Sequence, residues 1–187
     1  MRFSKNQNLP KKIFTHEFTI IVLMAACGIA TKPIIGPLAK MIAAPFFLPG
    51  GVVAGAFSML WPMLALLVVQ RFGTALLVGL LEGMMVLITG FYGSHGLLSL
   101  LIYVTPCVFI DGLYIFTKDA RYQIIRFLPT ALGNVAGVFL VGFFIMHLPV
   151  ISLFIGLMPA FVFGGVGGWF AEQLYQVIKR IRSTALN

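Results

Sequence analysis

Three carboxylates interrupt otherwise apolar stretches of this chain: Glu82, Asp111 and Glu172. Counted from the nearest expected cytoplasmic charge or turn, each is seven to nine residues, or about 10–14 Å, inside a predicted membrane helix. An ionisable group at that depth is costly and normally has a cation, a partner or an ion path to justify it. Three roles therefore stay open: structural ion pairs or snorkelling, contact with a partner subunit, and a proton or cation path.

Basic residues that could pair with these carboxylates lie near the expected helix ends. Arg71, Arg126 and Lys179 are close enough to reach back toward the apolar interior. These three are therefore the candidate partners if the carboxylates form ion pairs.

A second group of candidate residues combines aromatic rings with polar atoms. Some lie near predicted external helix ends and others deeper in the predicted bundle. The group consists of Tyr92, His95, Tyr103, His147, Trp61 and Asn134. Such side chains around an apolar cavity would bind a small planar ligand by stacking and a few hydrogen bonds. Taken singly, Tyr, Trp and His are also typical of the membrane interface.

Sequence signals for other chemistry are absent. There is no GxxxxGK[ST] phosphate loop, no His/Glu zinc motif and no convincing Ser/His/Asp set. Cys27 and Cys107 have neither CxxC nor Cys/His spacing. We expect a chain that is not an enzyme, does not itself hydrolyse ATP, and has neither a metal site nor a resident cofactor.

Composition requires a bilayer as the solvent. Of the 187 residues, 60% are hydrophobic and only 10% are charged. We predict an all-α integral membrane protein with a single membrane domain, residues 1–187. Its six transmembrane helices are predicted at Phe14–Thr31, Leu48–Gln70, Thr74–Tyr92, Leu97–Thr117, Ile124–Met146 and Val150–Ile178, between basic cytoplasmic tails at 1–13 and 179–187.

The distribution of Lys and Arg predicts the orientation. With the amino terminus inside, Lys32 and Lys40 are the only two of the thirteen that lie outside. Both termini are therefore expected in the cytoplasm. The net charge of +8 is explained by topology, so no nucleic-acid partner is expected.

The segment Lys32–Phe47 separates the first two predicted helices. It contains Pro33, Pro37 and Pro45. Because prolines break helices in most contexts, we expect a re-entrant or lid loop that folds back over the bundle. Small residues also recur at four-residue spacing, and the pair Ala26 and Ala30 in helix 1 is a candidate interface for another membrane subunit.

The pattern as a whole resembles the substrate-binding membrane subunits, or S-components, of energy-coupling factor (ECF) ABC transporters. The resemblance covers the topology of essentially the whole chain. In residues it lies in Met24-Ala25-Ala26-Cys27-Gly28-Ile29-Ala30, similar to the AxxxA element of helix 1, and in the segment Phe47–Gly55.

The resemblance implies a prokaryotic-type plasma membrane protein that captures a vitamin-like micronutrient outside the cell. A transmembrane coupling subunit and two cytoplasmic ATPase subunits would be its partners, with Ala26 and Ala30 at the interface and Lys32–Phe47 as the lid. A planar heteroaromatic ligand is expected, either a thiamine-related pyrimidine or haem with His95 or His147 near the iron.

Two other classes of function stay open. The first is a self-contained small proton- or cation-coupled transporter that uses Glu82, Asp111 and Glu172 as its path. The second is a membrane assembly protein or membrane enzyme, for which the sequence offers no catalytic constellation.

Overall fold

The computed structural model describes residues 11–46, 48, 50–90, 96–117 and 127–184. Within these ranges the chain is helical, without strands. The α-helices are α1 (Lys11–Ala43), α2 (Gly51–Ser58), α3 (Leu60–Val69), α4 (Thr74–Thr89), α5 (Leu98–Thr117), α6 (Leu128–Leu140) and α7 (Val150–Thr184). A 3-10 turn, Ala44–Phe46, follows α1, and a π-helical turn, Val141–Ile145, continues α6.

The helices confirm a multi-pass, all-helical membrane protein. In the described part of the chain, five helical stretches are long and apolar enough to cross a bilayer, with α2 and α3 counted together as Gly51–Val69. The helix α4, at 16 residues, is apolar but shorter. It corresponds to the predicted helix Thr74–Tyr92, of which Tyr92 lies outside the described residues.

Contacts between the helices establish their directions. Near the start of α1, Glu17 forms an ion pair with Arg71, which precedes α4 (3.1 Å). The neighbouring Gln70 donates a hydrogen bond to the Tyr175 hydroxyl near the end of α7 (3.0 Å). The start of α1 and the end of α7 therefore share one end of the bundle, the terminal end. The opposite, distal end is where Gly50 packs against Lys40.

The predicted loop Lys32–Phe47 is largely wrong, because α1 continues without interruption to Ala43. Pro33 and Pro37 are four residues apart, so both lie on the same outward-facing side of the helix, where each removes one backbone hydrogen bond. Ala39 and Ala43 on the other side are almost fully buried. Packing of that inner side keeps the segment helical, since transmembrane helices tolerate proline where neighbouring helices support them.

Glycines allow the central helices to approach closely. A Cβ atom on Gly79 would lie 2.6 Å from the Tyr103 carbonyl oxygen in α5, and one on Gly133 would lie 2.9 Å from that of Pro106. Similarly, Gly164 of α7 packs on the Thr130 carbonyl of α6. Close backbone contact is how helices associate in lipid, where the hydrophobic effect gives little help. These small-residue positions therefore serve packing within the bundle.

Candidate ligand-binding site

A cavity of about 220 Å³ lies in the distal half of the bundle. Its walls come from α1, α2, α4, α5 and α6, together with Pro62 of α3 and the first residue of the π-helical turn, Val141. Most of the lining is apolar, but it includes the polar residues Lys32, Glu82, Tyr103 and Asn134, together with Thr31 and Ser58. An apolar cavity with a few converging polar groups is the usual form of a small-molecule site.

An ion pair between α1 and α4 forms one wall of the cavity. Lys32 Nζ lies 2.6 Å from Glu82 Oε2, and the two side chains are only 14% and 4% exposed. The same ammonium group lies 3.8 Å from the centroid of the Tyr103 ring. Its charge is therefore balanced by a carboxylate and an aromatic face in a site with little water.

This ion pair corrects the expected partners of the carboxylates. The partner of Glu82 is Lys32, whereas Arg71 pairs with Glu17. Lys179 is exposed in the last turns of α7, and Arg126 lies outside the described residues. For Glu82 the expected partner was wrong, because the long helix α1 places Lys32 beside the middle of α4 instead of in an external loop.

Gly28 determines where the Glu82 carboxylate can lie. The residue is one helical turn before Lys32 on the inner side of α1, and a Cβ atom there would overlap Glu82 Oε1. Only a glycine leaves room for the carboxylate to lie against the α1 backbone. The pair Gly28 and Lys32 thus provides space and charge for Glu82 on successive turns.

The second oxygen of Glu82 is chemically unused. Oε2 accepts a hydrogen bond from Lys32, but Oε1 has no hydrogen-bond partner among the residues that the structure describes. The whole residue is 3% exposed. A buried acceptor without a partner is costly, which makes Oε1 a candidate acceptor for a group of a bound molecule.

Two prolines add backbone acceptors to the cavity. Proline has no N–H, so Pro62 gives no helical hydrogen bond to the carbonyl of Ser58, and Pro106 gives none to that of Ile102. All four residues line the cavity. The helix is also interrupted between α2 and α3 at Met59, beside Ser58. Each proline therefore leaves one carbonyl among the lining residues without its usual helical donor.

Asn134 fixes the deep wall of the cavity. Its Nδ2 donates to the Ala160 carbonyl (2.8 Å) and the Val52 carbonyl (3.3 Å), which joins α6 to α7 and to α2. Gly55 of α2 lies directly against this amide, and a Cβ there would overlap it. With both donors committed to backbone carbonyls, the side-chain oxygen is the part of Asn134 that a ligand could use.

Asp111 has a different role from Glu82. It lies in α5 and accepts hydrogen bonds from the first backbone N–H groups of α4: Oδ2 from Leu76 (2.7 Å) and Oδ1 from Ala75 (3.3 Å). These N–H groups have no partner within their own helix, and the helix dipole favours an anion there. Asp111 is therefore a cap for α4 supplied by a neighbouring helix. Glu172, in α7, is also buried.

The structure brings together two of the six predicted ligand-binding residues, Tyr103 and Asn134. Trp61 packs beside the apolar cluster of α3 and α5, and His147 is exposed in the turn after the π-helical residues, with a φ of 46°. Tyr92 and His95 lie outside the described residues. Of the predicted interface pair, Ala30 faces outward from the bundle and Ala26 is half-buried.

The residues that sequence reasoning missed are Lys32 and Gly28. A signal for them was present, since Ile21, Ala25, Gly28 and Lys32 follow the three- and four-residue spacing of one helix face. The prolines after Lys32 concealed it by predicting that the helix ends there.

Comparisons of the chain with protein-family models, with curated proteins and with solved structures find no match. The basis for a function is therefore the cavity itself. It combines apolar walls, a buried ion pair and unused acceptors, which together would bind and orient a small molecule.

Proposed function

We propose that this chain is the substrate-binding membrane subunit, or S-component, of an ECF-type ABC importer. It captures a vitamin-like micronutrient at the external face, and uptake is powered by a separate coupling subunit with two cytoplasmic ATPase subunits. The observation that carries the proposal is the cavity of about 220 Å³ in the distal half, with Lys32, Glu82, Tyr103 and Asn134 in its lining.

The charge distribution supports an external position for this cavity. Arg71 lies at the terminal end of the bundle, as do Lys179, Arg180 and Arg182 in the last turns of α7. Basic residues flanking membrane helices stay preferentially in the cytoplasm. We infer that the terminal end is cytoplasmic and that, with α4 counted as a sixth span, both termini lie there and the distal cavity faces the outside of a prokaryotic-type plasma membrane.

The size of the cavity favours a monocyclic or bicyclic ligand. Pockets for drug-sized molecules measure about 300–1,000 Å³, so a cavity of about 220 Å³ suits a smaller molecule. A thiamine-related pyrimidine fits this size better than haem does. An aromatic ring is also compatible with walls that contain Tyr103, Phe57 and Met59.

The outward face of α1 supports docking to a coupling subunit. Ala30 is exposed there, close to Val22 and Leu23, which are also exposed. Small residues on such a face permit close approach of a second membrane helix. Because Ala26 is half-buried, Ala30 is the cleaner position at which to test this interface.

A self-contained ion-coupled carrier is the competing proposal. Its path would need Asp111 to exchange protons or cations, yet both oxygens of Asp111 accept hydrogen bonds from the start of α4. Glu82 forms an ion pair with Lys32 through one of its oxygens. These contacts favour binding over conduction as the role of the site.

The proposal is tested by separating binding from uptake. We expect the purified chain, expressed in rich medium, to carry one small molecule per protein in native mass spectrometry. Reconstituted alone in liposomes, it should transport nothing. In cells that contain the partner subunits, Ala30→Trp should abolish uptake of that molecule while the purified variant still binds it, because the bulky side chain faces away from the cavity.

The outcomes that contradict the proposal are specific. If the chain alone shows proton-dependent flux in liposomes and Glu82→Gln abolishes that flux, the protein is a self-contained ion-coupled carrier and not an S-component. If Ala30→Trp supports normal uptake, the outward face of α1 is not the coupling surface.

A further inference from the structure

We propose that the Lys32–Glu82 pair selects an uncharged, amino-substituted nitrogen heterocycle. A ring nitrogen accepts a hydrogen bond from Lys32 Nζ, and the adjacent amino group donates one to Glu82 Oε1. This inference rests on the proposed binding function, and it names the ligand chemistry that the same cavity takes.

The geometry of Glu82 supplies the acceptor half of this pattern. In the described part of the chain, Oε1 and the Ser99 hydroxyl are the only buried side-chain polar atoms without a hydrogen-bond partner. Glu82 lines the cavity, and Ser99 is not among its lining residues. The unused carboxylate oxygen is held in place by Lys32 on one side and by the Gly28 backbone on the other. Because Oε1 has almost no accessible surface of its own, it accepts a hydrogen bond from a ligand once the carboxylate turns away from the Gly28 backbone.

Lys32 supplies the donor half. An ammonium group has three N–H donors, and the contact with Glu82 Oε2 uses one of them. The proximity of Nζ to Oε2 places a donor beside the acceptor oxygen of the same carboxylate. A neighbouring ring nitrogen and amino group, as in an aminopyrimidine, present an acceptor and a donor at matching separation.

The charge of the pair determines the charge of the ligand. Lys32 and Glu82 neutralise each other within 2.6 Å. An anionic ligand near Lys32 would also lie beside the carboxylate, and a cationic ligand near Glu82 would also lie beside the ammonium. In a site this poorly solvated, like charges at such distances strongly oppose binding. A neutral ligand with a local donor–acceptor edge avoids both penalties.

The other polar groups of the cavity favour an amino substituent. The carbonyls of Ser58 and Ile102 have lost their helical donors to Pro62 and Pro106, and Asn134 has only its oxygen available. These groups, together with Glu82 Oε1, are acceptors that a ligand N–H could satisfy. Ligand N–H groups satisfy such a lining, whereas a ligand that carries only acceptors leaves it unsatisfied.

The experiment uses three matched probes on the intact, detergent-purified chain. Each is a 4-amino-2-methylpyrimidine whose C5 substituent is hydroxymethyl (neutral), aminomethyl (cationic) or carboxylate (anionic). Isothermal titration calorimetry gives the affinity of each. We expect the wild-type chain to bind the neutral probe at least about tenfold more tightly than either charged probe.

Two variants change the charge of the pair in opposite directions. Lys32→Gln leaves the Glu82 carboxylate without its counter-charge and should shift the preference toward the cationic aminomethyl probe. Glu82→Gln leaves the Lys32 ammonium group without its counter-charge and should shift the preference toward the anionic carboxylate probe. In both variants the neutral probe should lose about tenfold to a hundredfold in affinity, because a hydrogen bond to a charged group is removed.

Ser99→Ala is the matched control, since it removes the other unpartnered buried polar group and should leave all three affinities unchanged. A wild-type preference for a charged probe, no binding of any probe, or a preference unmoved by both variants would overturn the inference. The proposed function is judged separately, by whether native mass spectrometry finds a bound molecule. A co-purified acidic or cationic ligand would preserve that function and reject this ligand class.

Discussion

Glu82 and Asp111 are two carboxylates of equal burial, each 3% exposed, on neighbouring helices of one bundle. Asp111 has both oxygens satisfied by backbone N–H groups of α4. Glu82 has one oxygen satisfied by Lys32, and the other has no partner among the described residues. The difference shows that burial alone does not mark a functional residue. What distinguishes Glu82 is hydrogen-bonding capacity left unused at the wall of a cavity.

The surroundings of Asp111 and Glu82 also differ in how densely they are packed. Around Asp111, the terminal half is filled by an apolar cluster that includes Met63, Leu66 and Ile110. Around Glu82, the distal half contains the cavity, proline-containing parts of α1, α3 and α5, the break between α2 and α3, and a π-helical turn. Regular helices pack densely, whereas interrupted helices leave space and free carbonyls. The bundle thus combines a densely packed terminal half with a distal half that contains a cavity.

The largest loss of stability is expected when one partner of the Lys32–Glu82 ion pair is removed and the other stays. Lys32→Met leaves the Glu82 carboxylate buried without a counter-charge, which should cost about 3–5 kcal/mol of folding free energy. Thermal unfolding in detergent should show a large drop in the midpoint temperature. The double variant Lys32→Met, Glu82→Leu should recover most of that stability but not ligand binding. If the double variant binds ligand normally, the pair is structural only.

Substitution of Asp111, which caps α4, should lower stability without affecting ligand binding. Asp111→Ala leaves the first N–H groups of α4 without their acceptors, at a cost of about 1–3 kcal/mol. Ligand affinity should change less than about threefold, because Asp111 does not line the cavity. Unfolding and calorimetry on the same preparation measure both quantities. A loss of binding without a loss of stability would contradict this assignment.

Alanine substitutions should show which glycines are needed for close packing. Gly55 lies against the cavity residue Asn134, whereas Gly112 has open space beside it. Gly55→Ala places a methyl group on the Asn134 amide and should destabilise the chain by about 1–3 kcal/mol. Gly112→Ala in α5 meets nothing within 4 Å. It should be neutral or stabilising by up to about 1 kcal/mol, because alanine favours helix. Equal effects at the two positions would mean that the close approach of α2 to Asn134 is not important.

The smallest effect is expected at the terminal end. Arg71 and Glu17 form an ion pair in which the Arg71 side chain is 45% exposed. Arg71→Gln should therefore change stability by about 0–1 kcal/mol and leave ligand affinity unchanged. An effect as large as that of Lys32→Met would remove the contrast between the two ion pairs.

Hydropathy was sufficient to predict the helical, membrane-spanning architecture and the approximate position of each helix. Each apolar run of about 20 residues has few stable alternatives in lipid. The small residues were also correctly associated with helix packing, since Gly79, Gly133 and Gly164 all lie against a neighbouring backbone. These are local patterns that the sequence displays directly.

The site was harder to predict because it depends on contacts between distant segments. Lys32 and Glu82 are fifty residues apart, and their pairing requires α1 to continue past Pro33. Proline position alone does not reveal that packing of Ala39 and Ala43 will hold that helix together. Of the predicted ligand-binding residues, Tyr103 and Asn134 line the cavity because they lie on the inner faces of α5 and α6. Helical periodicity does not distinguish a cavity from a packed interior at such positions.

Native mass spectrometry of three chains expressed in rich medium tests directly whether the unused oxygen of Glu82 belongs to a ligand site. The chains are the wild type, Glu82→Gln and Asp111→Asn. We predict one bound small molecule per protein in the wild type and in Asp111→Asn, and none in Glu82→Gln. A wild-type chain without a ligand, or a Glu82→Gln chain that retains one at wild-type occupancy, would show that Glu82 is not part of a ligand site.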